Sequence, residues 1–238
     1  MNFTDKTAIV TGGTRGIGFA IARVLCDAGI SVMICGRNKD SIAKAVNSLK
    51  VFGVASGIQC DVTNYDEVCA MMKATNQKFG SIDILINNAG VAHNGDIEEH
   101  TPETWTETIN TNLTGVFYCC KEVIPSMKKQ GGYIINISSR AGTNPYSGDI
   151  AYTASKFALN GFSEVLMNNL QKHKIRVSYL MPGRVSTNLA GVGPEPWHVS
   201  PEDVAKVVID ILSLDERSVA SRIEIRPTLI NKIETKTE

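Results

Sequence analysis

The chain has 238 residues, of which 43% are hydrophobic and 20% are charged, a balance typical of one α/β domain with a substantial core. Lys plus Arg and Asp plus Glu each total 24, so the formal net charge is zero. Because there is no basic excess and no basic block, the composition argues against nucleic acid or a membrane surface as a partner.

The N-terminal segment and the cysteine usage predict a cytoplasmic protein. Residues 1–6 contain no apolar signal core, and no run in the chain approaches ~18 apolar residues. None of the six cysteines belongs to a C-x-x-C pair, so we expect reduced and mostly buried thiols. The four histidines lack metal-ligand spacing, and we predict no metal site.

Short apolar runs alternate with longer helical periods along the chain. In chain order, the strand candidates are Thr7–Thr11, Ser31–Cys35, Val54–Cys60, Ile82–Ile86, Gly132–Ile137, Ile175–Met181 and Arg222–Arg226. The helical stretches between them are Ile17–Ala28, Lys39–Leu49, Tyr65–Phe79, Pro102–Lys129, Ile150–His173 and Pro201–Leu214. Most of the strands are continuous apolar runs, as expected where both faces are covered. The pattern predicts a single doubly wound α/β domain over residues 1–238, with a parallel sheet of about seven strands and helices on both faces.

A glycine-rich loop joins the first predicted strand to the first predicted helix. Residues 11–18 have the spacing T-G-x-x-x-G-x-G. A chain at this position can turn sharply, approach a pyrophosphate closely and direct helix N–H groups at it. Because the strand and the helix lie where such a site needs them, we favour a dinucleotide site over an ordinary turn. The candidate contacts in the loop are Gly12, Thr14, Arg15, Gly16, Ile17 and Gly18.

The ends of the second and third strands indicate which dinucleotide binds. An NAD site usually has an acid after the second strand, where it binds the ribose hydroxyls, whereas this strand ends with Arg37 and no acid. Arg37 and Arg15 can pair with a 2′-phosphate, so we favour NADP(H) over NAD(H); solvated arginines are the alternative. Asp61, followed by Val62, is a candidate partner of the adenine amino group or a helix cap.

Tyr152 and Lys156 are four residues apart in a predicted helix, so both project from one face. Reduction of a carbonyl creates an alkoxide that needs a proton donor, and a free tyrosine, with a pKa of about 10, is a sluggish one. A nearby cation such as Lys156 lowers that pKa, and the lysine can also reach the nicotinamide ribose. Ser139 ends a strand at the carboxyl edge of the sheet, where its hydroxyl can hold the substrate carbonyl oxygen.

In their order and spacing, these motifs resemble the classical short-chain dehydrogenase/reductase family over nearly the whole chain. The matches are the glycine loop at Thr11–Gly18, N-N-A-G at Asn87–Gly90, Y-x-x-x-K at Tyr152–Lys156 and P-G at Pro182–Gly183. The resemblance implies a Rossmann fold and a catalytic set made of Asn112, Ser139, Tyr152 and Lys156. Within that set, Asn112 helps to hold a water that relays protons to the lysine.

The resemblance also implies further cofactor contacts. It implies that Thr187 and the backbone of Val185 contact the nicotinamide carboxamide. The remaining cofactor positions that it implies are Asn88, Ala89, Gly90, Pro182 and Gly183, with Asn87 and Gly90 also steadying the sheet. Taken singly, Tyr152 can be a packing residue, Ser139 a turn cap and Asn112 a bridge between a helix and a loop.

The loop after Pro182-Gly183 largely determines substrate specificity in the family. Here it is short, because helix-start signals return at Ser200-Pro201, and this indicates an open pocket for a bulky or acyl substrate. Trp197 and His198 are lid candidates, although Trp197 can equally pack the loop down. His93 and Asn94 are candidates for substrate contacts or for plain surface loop.

We expect a homodimer or homotetramer. In the family, the two long helices pack against the same helices of a second copy. The corresponding helices here have apolar residues that could form such an interface: Leu113, Val116, Phe157, Phe162 and Leu166. The alternative is that these side chains face only the sheet. The C-terminal stretch 221–227 lacks the Gly-Gly signature of β-ketoacyl-carrier-protein reductases. That absence puts in doubt both a carrier-protein substrate and a tetramer interface built from the last strand.

The sequence therefore predicts an NADP(H)-dependent carbonyl reductase or alcohol dehydrogenase acting on a small-molecule carbonyl or alcohol. A non-catalytic NADP(H) sensor is one alternative, but such proteins generally lose the tyrosine or the lysine. A 3-oxoacyl-carrier-protein reductase is another. A sugar-nucleotide epimerase also uses Y-x-x-x-K, but it would need a second, substrate-binding domain.

Overall fold

Seven strands form one parallel sheet in the computed structural model, which describes residues 3–189, 193 and 195–228. The strands are β1 Thr7–Thr11, β2 Ser31–Gly36, β3 Ala55–Gln59, β4 Ile84–Asn87, β5 Gly132–Ile137, β6 Ile175–Pro182 and β7 Arg222–Ile225. Their order is β3-β2-β1-β4-β5-β6-β7. The chain leaves β1 towards one edge and returns at β4 to build the other half, so β1 and β4 flank a crevice at their carboxyl ends.

The helices cover both faces of this sheet. They are α1 Gly16–Asp27, α2 Lys39–Leu49, α3 Tyr65–Phe79, α4 Pro102–Ile109, α5 Gly115–Gln130, α6 Ile150–Leu170 and α7 Pro201–Leu212. Side chains of α1, α2 and α7 form one hydrophobic core with the sheet, and side chains of α3, α5 and α6 form a second. Because each face has its own core, β1 and β4 are buried along their whole length. The predicted doubly wound parallel fold is confirmed.

Side chains mark several helix starts. Asn38 caps α2, Asn64 caps α3, and Ser200 caps α7, each accepting hydrogen bonds from backbone N–H groups of the first turn. Thr101 caps α4 with Pro102 at the first helical position. No helix in the described part of the chain is both long and apolar enough to cross a membrane.

The predicted helical stretch Pro102–Lys129 is helical throughout, but it is not one uniform α-helix and it extends to Gln130. Between α4 and α5 the backbone forms a π-helical turn at Asn110–Thr114. The pattern of polar and apolar residues does not reveal this π turn. The turn is associated with tertiary contacts instead, since the buried side chain of Asn112 hydrogen-bonds to the loop after β4 and to α6. Such turns inside helices are often found at functional sites.

The other predicted boundaries differ less. The helix predicted to reach His173 ends at Leu170 and continues as a 3₁₀ turn, Gln171–His173. The last helix ends at Leu212, two residues early, and β3 is one residue shorter at each end than predicted. Helix and strand ends depend on local hydrogen bonds that hydrophobic periodicity does not detect.

Candidate active site

A cavity of about 820 Å³ opens at the carboxyl edge of the sheet, within the range of ligand pockets. The loops that follow the first six strands form its walls. Every residue predicted to contact the cofactor lines this cavity: Gly12, Thr14, Arg15, Gly16, Ile17, Gly18, Arg37, Asp61, Val62, Asn88, Ala89, Gly90, Tyr152, Lys156, Pro182, Gly183, Val185 and Thr187.

The glycine loop packs too closely against its neighbours to accept side chains. Gly12 has a φ of 64°, and a Cβ there would lie 2.9 Å from the Cα of Ala89. A Cβ on Gly18 would lie 2.5 Å from the carbonyl oxygen of Gly12. The loop therefore presents bare backbone to the cavity, which is what a closely approaching pyrophosphate requires.

The start of α1 leaves its N–H groups available to a ligand. Arg15 is the N-cap residue, but no described side chain caps this helix and its first turn contains no acid. The helix dipole and the N–H groups of the first turn together favour an anion at such an end. The glycine loop and the uncapped helix thus fit the pyrophosphate of a dinucleotide.

A threonine and an asparagine lock the glycine loop to the turn after β4. The hydroxyl of Thr11 accepts hydrogen bonds from the backbone N–H groups of Asn88 and Ala89, each at 3.0 Å. In return, the Asn88 amide donates to the carbonyl oxygens of Thr11 (2.9 Å) and Gly12 (3.2 Å). Sequence analysis missed the role of Thr11, although it is the first residue of the T-G motif.

The two arginines assigned to the 2′-phosphate have different surroundings. The side chain of Arg15 makes no hydrogen bond or ion pair with any residue that the structure describes, and its carbonyl oxygen accepts from the N–H of Phe19. Arg37 pairs with Glu107 of α4, with 3.4 Å between Nη1 and Oε1. The other oxygen of Glu107 is 3.0 Å from Nε2 of His93. His93, a candidate for substrate contact, does not line the cavity, whereas Asn94 does.

Asp61 lies in the cavity wall and organises the turn before α3. Its Oδ1 accepts hydrogen bonds from the backbone N–H (2.9 Å) and hydroxyl (2.8 Å) of Thr63. The N-cap of α3 is Asn64, so Asp61 does not cap that helix. Its position beside Val62 in the wall remains compatible with an adenine contact.

Three of the four predicted catalytic side chains meet on the cavity wall. The Ser139 hydroxyl lies near the phenol of Tyr152 and lowers its pKa by favouring the ionised form. The Nζ of Lys156 lies 5.5 Å from the centroid of the Tyr152 ring and donates to the carbonyl oxygen of Ile137 at 2.9 Å. Ser139 also accepts from the N–H of Ala141 at 3.1 Å, so it caps a turn as well.

Burial controls the protonation of this group. Loss of water raises the pKa of Tyr152 to about 12; the Ser139 hydroxyl lowers it and the charge of Asp149 raises it further. Burial also lowers the pKa of Lys156 to about 8. The net pKa of Tyr152 is raised, because desolvation outweighs the lowering that a nearby cation is expected to give. Tyr152 is protonated at neutral pH, the form that can donate a proton.

Asn112, the fourth predicted catalytic residue, is fully buried and does not line the cavity. Its Oδ1 accepts from the N–H of Val91 at 2.9 Å, and its Nδ2 donates to the carbonyl oxygen of Val91 at 2.9 Å and to Ser155 at 3.0 Å. The Ser155 hydroxyl in turn donates to the carbonyl oxygen of Tyr152 at 2.7 Å. Asn112 thus bridges the loop after β4 and helix α6.

Ser138 and Asn160 hold the segment that contains Ser139. The Ser138 hydroxyl donates to Oδ1 of Asn160 at 2.6 Å, and the Asn160 amide donates to the carbonyl oxygen of Gly142 at 3.0 Å. Both side chains are buried. No sequence pattern indicated Asn160, because its partners are about twenty residues away in the chain.

Part of the lid can be described. His198 lines the cavity, and the ring of Trp197 packs on its edge with 4.4 Å between centroids. The backbone N–H of Glu195 donates to Nδ1 of His198 at 3.2 Å. Residues 190–192 and 194 of the predicted lid lie outside the described residues.

Comparison with known proteins gives concordant matches. Residues 6–195 match the family described as short chain dehydrogenase. An uncharacterized oxidoreductase of Staphylococcus aureus strain N315 is 34% identical over 227 residues, covering 94% of this chain and 98% of that protein.

Two solved structures share the fold over almost the whole chain. The alcohol dehydrogenase of the archaeon Thermococcus sibiricus, complexed with 5-hydroxy-NADP, has a TM-score of 0.89 at 27% identity and covers 94% of this chain and 97% of its own. A metagenomic short-chain oxidoreductase in complex with NADP has a TM-score of 0.86 at 32% identity and covers 97% of this chain and 100% of its own. From the matched family, the shared sequence and the shared fold, we conclude that the chain belongs to the short-chain dehydrogenase family of oxidoreductases.

Proposed function

We propose that this protein transfers a hydride between NADP(H) and a carbonyl or secondary alcohol, as a carbonyl reductase or alcohol dehydrogenase, with Tyr152 as general acid and base. The observation that supports it most is the common cavity. The glycine loop and the side chains of Ser139 and Tyr152 line the same space. A cofactor on the loop and a substrate at the phenol would therefore share one pocket.

The proposed roles follow from the contacts. When bound, the nicotinamide supplies or accepts the hydride. In the reducing direction, Tyr152 gives its proton to the carbonyl oxygen as charge develops there, and Ser139 holds that oxygen by a hydrogen bond. Lys156 lies close enough to stabilise tyrosinate electrostatically after the transfer. Asn112 keeps α6 and the loop after β4 in place.

NADP(H) is the proposed cofactor. Arg15 and Arg37 both line the cavity and can pair with a 2′-phosphate. The two structural neighbours described above are complexed with 5-hydroxy-NADP and with NADP. The assay that tests this choice screens a panel of ketones and alcohols with NADPH and NADH side by side, following absorbance. A clear preference for NADH would refute the cofactor assignment.

The test of Tyr152 is Tyr152→Phe, which removes the hydroxyl and keeps the ring. We expect turnover to fall at least a hundredfold while NADPH still binds, as measured by fluorescence titration. Tyr118→Phe is a matched control, because Tyr118 lies on α5 and does not line the cavity. Wild-type turnover by Tyr152→Phe would remove the basis of the mechanism.

We further propose a homodimer or homotetramer. Three apolar side chains on α5 and α6 remain exposed in the single chain, Phe117 (44%), Phe157 (45%) and Val165 (60%). Burial of such a face between copies is favourable. Light scattering of Phe157→Glu should then give a smaller species than the wild type, whereas Val51→Glu, 81% exposed on another surface, should not.

All six cysteines have free thiols, which supports the predicted cytoplasmic location.

A further inference from the structure

Arg140 is a charged residue in the wall of the cavity that neither the cofactor site nor the catalytic set uses. It directly follows Ser139 and begins the 3₁₀ turn Arg140–Gly142. Its side chain is 29% exposed and lines the same cavity as Ser139 and Tyr152. An arginine next to the residue that binds the reacting oxygen is placed to contact the rest of the substrate.

The guanidinium of Arg140 is held in place by an aromatic residue. Its Nη1 donates to the phenol oxygen of Tyr146 at 2.8 Å, and its central carbon lies 5.7 Å from the centroid of that ring. Tyr146 lines the cavity too. A cation held by hydrogen bonding and stacking loses little conformational freedom when it binds a ligand.

The charge of Arg140 is only partly compensated. Glu224 of β7 is 3.5 Å from its Nε, but this buried nitrogen makes no hydrogen bond with any described residue. Glu224 instead accepts a hydrogen bond from Arg226. That bond is the main cause of the lowered pKa of Glu224. Two arginines therefore share one carboxylate, and a positive charge remains at the wall.

One carboxylate on the same wall, Asp149, would oppose an anionic ligand. Burial raises the pKa of this carboxyl, and the nearby positive charge of Arg184 partly offsets that effect. Arg184 lines the cavity as well. At this end of the cavity three arginines, Arg140, Arg184 and Arg226, are set against two carboxylates, Asp149 and Glu224, which leaves a positive balance.

We propose that Arg140 is a specificity-determining residue that binds a carboxylate of the substrate, so that the substrates are keto acids and the corresponding hydroxy acids. The planar guanidinium matches the two oxygens of a carboxylate, and the half-buried setting strengthens the contact. This inference rests on the proposed function. The reaction is unchanged: the ketone carbon gains the hydride, its oxygen gains the proton of Tyr152, and the carboxylate takes no part.

The experiment compares 2-, 3- and 4-oxo acids with their methyl esters, using NADPH and the full-length protein. Each pair differs only in the negative charge. We expect the wild type to prefer at least one acid over its ester in kcat/KM. Arg140→Gln should lower that acid's kcat/KM at least tenfold and change the ester's by less than about twofold. Arg140→Lys should retain part of the preference.

Two further variants sharpen the test. Glu224→Gln removes the competing carboxylate and should raise the acid-to-ester ratio above the wild-type value. Arg217→Gln is the matched control, because Arg217 is 89% exposed, pairs with Asp215 and does not line the cavity. NADPH affinity, measured by fluorescence, should be the same in all four variants.

The outcomes separate the two proposals. If esters react as well as acids, or if Arg140→Gln keeps the acid-to-ester ratio, the inference about Arg140 is wrong while the proposed function stands. If no carbonyl reacts with NADPH, the proposed function fails. Thermal stabilisation of the NADPH complex by acids then still tests the site, and equal shifts for Arg140→Gln and wild type would overturn it.

Discussion

Glu107 of α4 joins Arg37, at the end of β2, to His93, in the loop after β4. Its two carboxylate oxygens are 3.4 Å from Nη1 of Arg37 and 3.0 Å from Nε2 of His93. Because Arg37 lines the cavity where we propose the 2′-phosphate, the acid competes with that phosphate for the same guanidinium.

Glu107→Gln should increase the selectivity for NADPH. A 2′-phosphate would no longer share Arg37 with a carboxylate or be repelled by it, so we expect NADPH to bind about twofold to fivefold more tightly, the range of an exposed ion pair. NADH has no phosphate there and should bind within about twofold of the wild type. Fluorescence titration of both cofactors measures the ratio. Glu103→Gln, on the same helix, is the control, and an unchanged ratio in Glu107→Gln would contradict the competition.

Thr11→Val should destabilise the fold and weaken cofactor binding. The hydroxyl of Thr11, which is 2% exposed, is the hydrogen-bond acceptor for two backbone N–H groups, and valine of the same shape would leave both unpaired. We expect the free energy of unfolding to fall by about 2 to 4 kcal/mol in urea titrations. Thr11→Ser keeps the hydroxyl and should lose less than half as much. Equal stability of the two variants would argue against the role given to Thr11.

Gly18→Ala should lose NADPH binding by more than tenfold. The new methyl group would collide with the carbonyl oxygen of Gly12, and relief of that clash has to displace the loop that faces the cavity. Gly53→Ala is the matched control: a Cβ there would lie 2.5 Å from the carbonyl oxygen of Cys26, a clash of the same size, and neither residue lines the cavity. That control should lose stability in urea titrations but bind NADPH normally. Normal binding by Gly18→Ala would disprove the role of the close packing.

Lys156 should contribute stability that increases with pH. Its pKa is about 8 in the fold and 10.5 in the reference state, so between these values the unfolded chain binds a proton that the folded chain does not. The contribution of Lys156 to the unfolding free energy therefore rises with pH over this window, by on the order of 3 kcal/mol in total. Lys156→Met removes this contribution. The difference in unfolding free energy between wild type and variant, followed from pH 7 to pH 10, should grow in favour of the wild type, and a constant difference would contradict the lowered pKa.

Much of the fold follows from local patterns. The predicted bounds of α2, α3 and β5 equal those observed, because apolar periodicity and turn residues define them. The glycine loop and Tyr152–Lys156 were predictable for the same reason, since each lies within eight residues of sequence and has a chemical logic of its own.

The missed features are contacts between distant parts of the chain. Glu107 is seventy residues from Arg37, and Asn160 is twenty-two residues from Ser138. Neither belongs to a motif, and each gains its role only from the packing of a helix against a strand end. The pKa of Tyr152 is a further example. The four-residue spacing predicted a cation beside the phenol, but the burial of Tyr152, which is the main cause of its raised pKa, arises only when the chain folds.

The π turn at Asn110–Thr114 has a consequence for the length of this segment. Such a turn amounts to one extra residue in an α-helix, and each residue rotates the helix by about 100°. With that rotation, Asn112 faces the loop after β4 while Val116 and Val123 of α5 still face the core. Without it, one of these two orientations would be lost. The number of residues between α4 and α5 is therefore more strictly constrained than the type of residue at most of these positions. A one-residue deletion there would do more harm than most substitutions.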